Sequence, residues 1–322
     1  MLMKLASVAT CALIVSGSAL AQNSATNYPT QTLNYTIAFG PGGGNDLMSR
    51  VVVDILNKHK MYGSQNIVVT NRAGGSGAIG YSHVKQQAGN PYHITSTSGN
   101  FISTPLISST DWKYSDFTPI ALLASDAMFL VVRADSAFDT LEKFVQGAKS
   151  KRMVIGGTGA AGPSRVVAGM FAEKAKMEFV YMPAGTGGQM VTALTSGSVD
   201  AIVANPSEVA GQLAAGNFRA LGYSSPSRSS VYPNVPTFSE AGYDVIFALP
   251  RGIVMPSGIP PAVQNWWIET MKKVVATPEW KEYLATNSMS GTYLWGAEFG
   301  AHLAETHNNF ERILKSIGAV KQ

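Results

Sequence analysis

Short apolar runs alternate along the chain with glycine-rich loops and amphipathic stretches, and the order recurs. Leu33 to Phe39 reads as a strand and Gly40-Pro41-Gly42-Gly43-Gly44-Asn45-Asp46 as a loop. Leu47 to Lys60 reads as a helix with Leu47, Val51 and Ile55 on one face. Asn66 to Thr70 is a second strand, Ala73 to Gly77 a second glycine loop and Ala78 to Gln87 a second helix. Tyr92 to Ser96 is a third strand, ending in Thr97-Ser98-Gly99-Asn100. A second block repeats the pattern. Met128 to Arg133 is a strand, Thr140 to Ser150 a helix and Met153 to Gly156 a strand. The loop Gly157 to Gly162 follows, then a helix from Ser164 to Lys176 with Pro163 where a helix start tolerates it. Phe179 to Met182, Ala201 to Ala204 and Arg219 to Tyr223 are strands. Pro183 to Gly188 is a loop, Gln189 to Ser196 a helix, and the strand at Ala201 ends in Asn205-Pro206. After a proline-rich stretch, Ser224 to Pro236, Val245 to Met255 is extended, and Pro260 to Asn287 and Glu298 to Ile317 are helical. Phe299, Leu303, Phe310, Leu314 and Ile317 form a core-facing stripe, and Trp266, Trp267 and Trp280 are expected to pack between helices.

This alternation predicts an α/β fold with mostly parallel sheets flanked by helices. The chain has 322 residues, and the beginning changes how many of them count. Lys4, the short apolar run Leu5 to Leu20 and the small-x-small sequence Ala19-Leu20-Ala21 predict a signal peptide cleaved after Ala21. The run is shorter than the ~20 residues that span a bilayer. Cys11, the single cysteine, lies inside that leader, so disulfides, thiol catalysis and zinc–thiolate sites are not expected of the exported chain. About 300 remaining residues suit two domains. The formal charge of +4 falls to +3 without Lys4, and no Lys/Arg run exceeds two residues, so no nucleic-acid surface is expected.

The glycine loops carry the candidate chemistry. Gly75-Ser76-Gly77-Ala78-Ile79-Gly80 and Gly157-Thr158-Gly159-Ala160-Ala161-Gly162 both match the dinucleotide fingerprint. However, the strands that follow end in Thr95-Ser96-Thr97 and Tyr181-Met182-Pro183, without the acidic residue that would hold a ribose. No lysine follows the loops as a phosphate loop requires. The five histidines form no zinc-protease pattern, and Ser82-His83-Val84-Lys85 lacks the companion motifs of serine-x-x-lysine enzymes. No cofactor or metal ion is implied. What remains is the physics of the loops: those beginning at Gly40, Gly74, Gly157 and Gly185 place strand ends before helix N-termini, and several such ends aimed at one crevice make an anion site without lysine.

Ile37-Ala38-Phe39-Gly40-Pro41-Gly42-Gly43-Gly44-Asn45-Asp46 with Arg50, and Val68-Val69-Thr70-Asn71-Arg72-Ala73-Gly74-Gly75-Ser76-Gly77, resemble the opening motifs of the tripartite tricarboxylate transporter receptors, or Bug proteins. Asp116-Phe117-Thr118-Pro119-Ile120, Tyr181-Met182-Pro183-Ala184-Gly185 and Pro233 to Gly242 follow in the family's order. Leu249-Pro250-Arg251-Gly252-Ile253 is similar to the tricarboxylate-receptor branch. Gly40 and Arg165 stand where many members carry alanine and histidine. The resemblance implies a monomeric, two-lobed periplasmic binding fold of type II. It implies a di- or tricarboxylate, or an aromatic carboxylate, held between the lobes and delivered to the membrane permease subunits of an ion-gradient-driven transporter. It further implies ligand contacts from Phe39, Gly40, Pro41, Gly42, Gly43, Asn45 and Asp46, and from Gly157, Thr158, Gly159, Ala160 and Ser164. Ser98, Asn100, Gly185, Thr186 and Asn205 complete the set. Lobe one is expected to comprise residues 33–127 with 247–322, and lobe two residues 128–246, because the last helices bear no strand repeat of their own and need the first sheet to cover.

Two points stay open on sequence alone. Asp46 is expected to cap the Leu47 helix, leaving neutral donors to hold the ligand, while a direct Arg251 salt bridge is the alternative. An exported hydrolase using Ser98 or Ser164, or a receptor that signals to a membrane sensor, are the competing functions.

Overall fold

Among the described residues, eleven strands and ten α-helices are arranged around two sheets, between which the chain passes twice. The computed structural model describes residues 27–160, 162–287 and 289–316, with 318 and 320. The expected leader, Cys11, Ala161 and Ile317 lie outside them.

The first passage of chain runs β1 (Leu33–Ile37), α1 (Gly44–Lys58), β2 (Ile67–Asn71), α2 (Ala78–Lys85), β3 (His93–Ser96), α3 (Gly99–Ile107) and β4 (Phe117–Ala127). The second runs β5 (Phe129–Arg133), α4 (Leu141–Ala148), β6 (Met153–Thr158), α5 (Pro163–Ala175), β7 (Phe179–Ala184), α6 (Gly187–Thr195), β8 (Ala201–Ala204), α7 (Pro206–Ala214) and β9 (Phe218–Tyr223). The last comprises β10 (Ala248–Pro256), α8 (Pro261–Ala276), α9 (Pro278–Thr286), β11 (Leu294–Trp295) and α10 (Ala297–Ser316). One sheet has the strand order β11-β4-β10-β3-β1-β2 and the other β7-β6-β8-β5-β9.

Strand direction follows from the crossings. Only Met128 separates β4 from β5, so the chain has no room to turn between sheets. It leaves one sheet at the C-terminal end of β4 and starts the other at the same junction. β5 consequently runs antiparallel to both its neighbours, β8 and β9. β10 returns from the junction in the same way and runs antiparallel to β3 and β4. The remaining pairs β1–β2, β1–β3, β6–β7 and β6–β8 are parallel. β1, β2, β3, β6, β7 and β8, each followed by a helix, therefore point their C-terminal ends at the junction from both sides.

Ser224 ties the two crossings together. Its Oγ accepts from the Met128 N–H at 2.9 Å and donates to the Phe247 carbonyl at 2.6 Å. Its main chain bonds the same two residues, at 2.9 and 2.7 Å. Apolar packing covers both faces of both sheets. One core lies under α1, α8 and α9 and holds the fully buried Trp267 and Trp280. A second lies under α6 and α7. A third is continuous across the junction, from Tyr81, Phe101 and Phe299 on one side to Phe144, Val166 and Phe171 on the other. Phe299, Leu303, Phe310 and Leu314 are buried in it as the stripe on α10 predicts.

Several elements differ from the sequence reading. α1 begins at Gly44 rather than Leu47, so the end of the glycine loop is already helical. α3, β4, α7 and β11 were not expected as elements. The stretch expected as one helix from Pro260 breaks at Thr277-Pro278, because proline at 278 starts α9 with Thr277 as its cap. Gly157 and Thr158 belong to the end of β6 rather than to a loop.

Ser224→Ala should lower stability by about 1–3 kcal/mol in chemical denaturation, since it strands a buried N–H and a buried carbonyl at the crossings. A change within experimental error would show that the main-chain bonds alone hold the junction.

Candidate binding site

Loop 39–46 is held by a polar brace. The Asp46 carboxylate accepts from the Gly42 N–H at 2.9 Å, from Arg50 Nε at 3.0 Å and from Asn71 Nδ2 at 2.8 Å. Asn71 Nδ2 also donates to the Phe39 carbonyl at 2.9 Å, and Arg50 Nη2 donates to Asn71 Oδ1. Asp46 is covered by these neighbours without lying deep in the protein. That cover would raise its carboxyl, but the bonds from Arg50, Asn71 and Gly42 outweigh it and hold the group below the usual carboxylate range. Asp46 thus sits in the first turn of α1 and reaches back to the loop; Gly43 is the cap, without a side-chain bond. The expected capping role is corrected accordingly. The N–H groups of Gly44, Asn45 and Asp46, in that first turn, have no intrahelical partner.

Asn45 fixes the next strand end. Its Nδ2 donates to the Thr97 carbonyl at 3.0 Å, while its Oδ1 is buried without a partner. Thr97 clips β3 to β10: its Oγ1 donates to the Pro250 carbonyl and accepts from the Gly252 N–H, at 3.0 and 2.9 Å. Ser98, the cap of α3, shares a 3.1 Å hydrogen bond with Tyr81 Oη. Gly99 begins α3 where a Cβ would come within 2.4 Å of Pro163 and 2.5 Å of Leu249. The starts of α3 and α5 therefore meet, one from each side of the junction. Asn100 is half-buried in the first turn of α3.

The second loop is braced from below. The Gly159 N–H donates to the Ala184 carbonyl at 2.9 Å and Tyr181 Oη to the Gly159 carbonyl at 3.0 Å. Arg165 donates to the Ala160 carbonyl at 2.7 Å and lies 5.5 Å from the Tyr181 ring centre. Burial pushes the Tyr181 hydroxyl up, so it stays protonated and donating. Gly157 cannot carry a side chain, since a Cβ would lie 2.3 Å from Ser164 Cβ and 2.6 Å from Tyr181 Oη. On the neighbouring strands, Thr186 caps α6 by accepting from the Gln189 N–H, and Gln189 Oε1 accepts from the Gly185 N–H at 2.9 Å. Asn205 caps α7, with its Nδ2 buried and unpartnered.

At the floor lie the crossing strands. Arg251 on β10 donates to Asp126 on β4 at 2.6 Å, and both side chains are buried. Arg251 Nη2 lies 3.0 Å from where a Cβ on Gly44 would be, so the guanidinium underlies the start of α1. Glu208, in the first turn of α7, interacts electrostatically with this pair. The structure thus brings the starts of α1, α3, α5, α6 and α7 to one place. The loop at Gly74 is explained otherwise: a Cβ on Gly77 would strike Tyr81 and Phe39, and one on Gly80 would strike Ala38, so these glycines permit close packing. Ser98 Oγ shares its hydrogen bond with Tyr81 Oη, and Ser164 Oγ accepts from the Thr158 N–H.

Sequence reasoning missed Asp126, Thr97 and Glu208. Asp126 was visible as the single carboxylate within the apolar run Ile120 to Leu130, and Glu208 as the third residue after Asn205 in a helix-capping pattern.

Two sheets joined by two crossings, with helix starts gathered at the junction, define a periplasmic solute-binding protein. The chain matches the family model "Tripartite tricarboxylate transporter family receptor" over residues 48–319, and it belongs to that family. Protein BugT of Bordetella pertussis is 28% identical over 247 residues, covering 74% of this chain and 75% of its own. A TctC solute-binding protein from Polaromonas, solved without ligand, has a TM-score of 0.77 at 26% identity, covering 90% and 100%. R. palustris Rpa4515, solved with adipate, has a TM-score of 0.80 at 21% identity, covering 91% and 99%.

Arg251→Ala should lower stability by about 3–5 kcal/mol, because it leaves the Asp126 carboxylate buried and unpaired. Denaturant titration of this variant beside Arg251→Ala/Asp126→Ala should show the double variant as the more stable. Asp46 gives a pH signature. Its folded value lies below its unfolded value, so its contribution is complete above about pH 4 and is lost as the pH falls through the folded value. The stability gap between the protein and Asp46→Asn should therefore close on acidification from pH 5 to pH 2.

Proposed function

We propose that this receptor captures a small organic carboxylate between the two sheets and delivers it to the membrane permease subunits of a tripartite transporter. The observation that carries this reading is the gathering of five helix starts at one junction. Each start carries roughly half a positive charge and main-chain donors, so together they hold an anion without a lysine. The adipate in R. palustris Rpa4515, a protein of the same fold, supports a carboxylate as the cargo.

On this reading residues 33–127 with 247–322 form one lobe and residues 128–246 the other, and the ligand lies between them. Loops 39–46 and 157–164 hold its carboxylate, with Ser98, Asn100, Gly185, Thr186 and Asn205 around it. Arg251 contributes through the field of its pair with Asp126 rather than as a free cation, because its Nη2 is already engaged. The receptor acts as a monomer, without cofactor, after export and cleavage following Ala21.

A thermal-shift panel of organic acids on the purified protein tests the class of ligand. A true ligand at a hundredfold excess over Kd should stabilise by about 2.7 kcal/mol. Stabilisation by sugars or simple amines alone would refute the reading. Gly43 tests the loop. Its φ of −80° suits any residue and a Cβ would meet only the Gly40 carbonyl at 3.9 Å, so Gly43→Ala should fold with unchanged stability. Calorimetry on that variant should show binding weakened at least tenfold, because the methyl obstructs approach to the main chain.

A further inference from the structure

The junction holds one carboxylate that anion binding does not call for. Glu208 Oε2 accepts from the Asn205 N–H at 2.9 Å and closes the capping box of α7. A glutamine would close it equally well, so capping does not require the charge. Glu208 Oε1 lies 2.8 Å from where a Cβ on Gly187 would be; glycine at the start of α6 is what gives that oxygen its place. The side chain is accessible to solvent, yet protein surrounds it on most sides.

The charges around it do not balance. Arg251 is paired with Asp126, which leaves Glu208 as the uncompensated member of the three. Burial pushes the Glu208 carboxyl up, the Asn205 N–H draws it down, and Asp126 adds more to the rise than Arg251 relieves. Three buried atoms of the junction also have no partner among the described residues: the acceptor Asn45 Oδ1 and the donors Asn205 Nδ2 and Arg251 Nε. Asn45 Oδ1 is buried without a partner, and its orientation is fixed because Nδ2 is bonded to the Thr97 carbonyl. Asn45 flanks Gly44, whose start of α1 rests over the Arg251 guanidinium. A ligand bearing carboxylates alone would place like charge against Glu208 and bring no donor to either acceptor.

We propose that Glu208 is a specificity-determining residue, and that the ligand sets one carboxylate against the helix starts of α1 and α5 and a protonated amine against Glu208. This rests on the carboxylate reading above and narrows it: the group at the far end is a cation, not a second carboxylate. Gly187 belongs to the same device, since its lack of a side chain seats the glutamate.

The test compares ligands that differ only in that far group. Calorimetry on the full exported chain should show 4-aminobutanoate binding at least tenfold tighter than glutarate, and 5-aminopentanoate at least tenfold tighter than adipate. Glu208→Gln keeps the cap and should retain the melting temperature, yet it should reduce both preferences below threefold. Gly187→Ala displaces Glu208 Oε1 while leaving its charge, and should weaken the preference independently. A protein that prefers the diacids, or a preference that survives in both variants, overturns the role of Glu208 and leaves the carboxylate reading standing. Failure of every carboxylate in the panel to bind overturns the carboxylate reading, and this inference falls with it.

Discussion

A single residue, Met128, stands between the last strand of one passage and the first strand of the next, and the architecture follows from the lack of space there. A chain that cannot turn round must enter the second sheet from the edge at which it left the first. The strand that crosses therefore runs against its neighbours, and the parallel strands on both sides, β1–β3 and β6–β8, aim at the same junction. β10 repeats the constraint on the way back. Ligands of open α/β sheets bind beyond the carboxyl ends of the strands, and here two such edges face one another.

The buried pair of Asp126 and Arg251 belongs to that constraint rather than to stability. Taking two charges out of water costs several kcal/mol per ion, and their attraction restores this only with good geometry. Its place across the two crossing strands suggests a registering role: it fits one alignment of β4 and β10, in which the guanidinium also underlies the start of α1. The pair thereby turns its guanidinium end toward the start of α1 without a mobile lysine. Its surroundings are braced by neutral or internally paired groups, such as Thr97, which follows β3 and bonds β10, and the Asp46–Arg50–Asn71 network on loop 39–46. Preorganised donors of this kind lose little entropy when a ligand arrives.

The alternation of strands, glycine loops and helices was legible because each carries a local signal: period-two or apolar runs, positive-φ glycines, and apolar stripes of period 3.6. The elements that escaped reading lacked one. α3 carries Ser103, Thr104 and Pro105, which read as loop, although the chain around it makes them helical. β4 runs almost without interruption into β5, and only the second of the two was read as a strand. α7 is short and weakly apolar, and only its capping pattern announced it. The loops of the site were visible for the same reason as the fold, since close approach and tight turns demand glycine. The charged floor was not: Asp126 and Arg251 are 125 residues apart, and nothing local joins them. Asp46 was misplaced for a local reason, because Gly44 and Asn45 do not look helical until the brace behind them is seen.

Main-chain donors at the helix starts have a consequence for how such a protein diverges. A point mutation deletes a side-chain donor readily, but it removes a peptide N–H only by introducing proline. The anion-holding part of the junction can therefore persist while most surrounding side chains drift, which suits a fold kept at 26% identity in the Polaromonas protein. Selectivity then has few places to reside. On the proposed reading it falls to side chains that reach past the main chain, such as Glu208 and Asn45, and to the glycines that make room for them. On that reading, a change of cargo within such a lineage can run through those few positions, with the main-chain frame left as inherited.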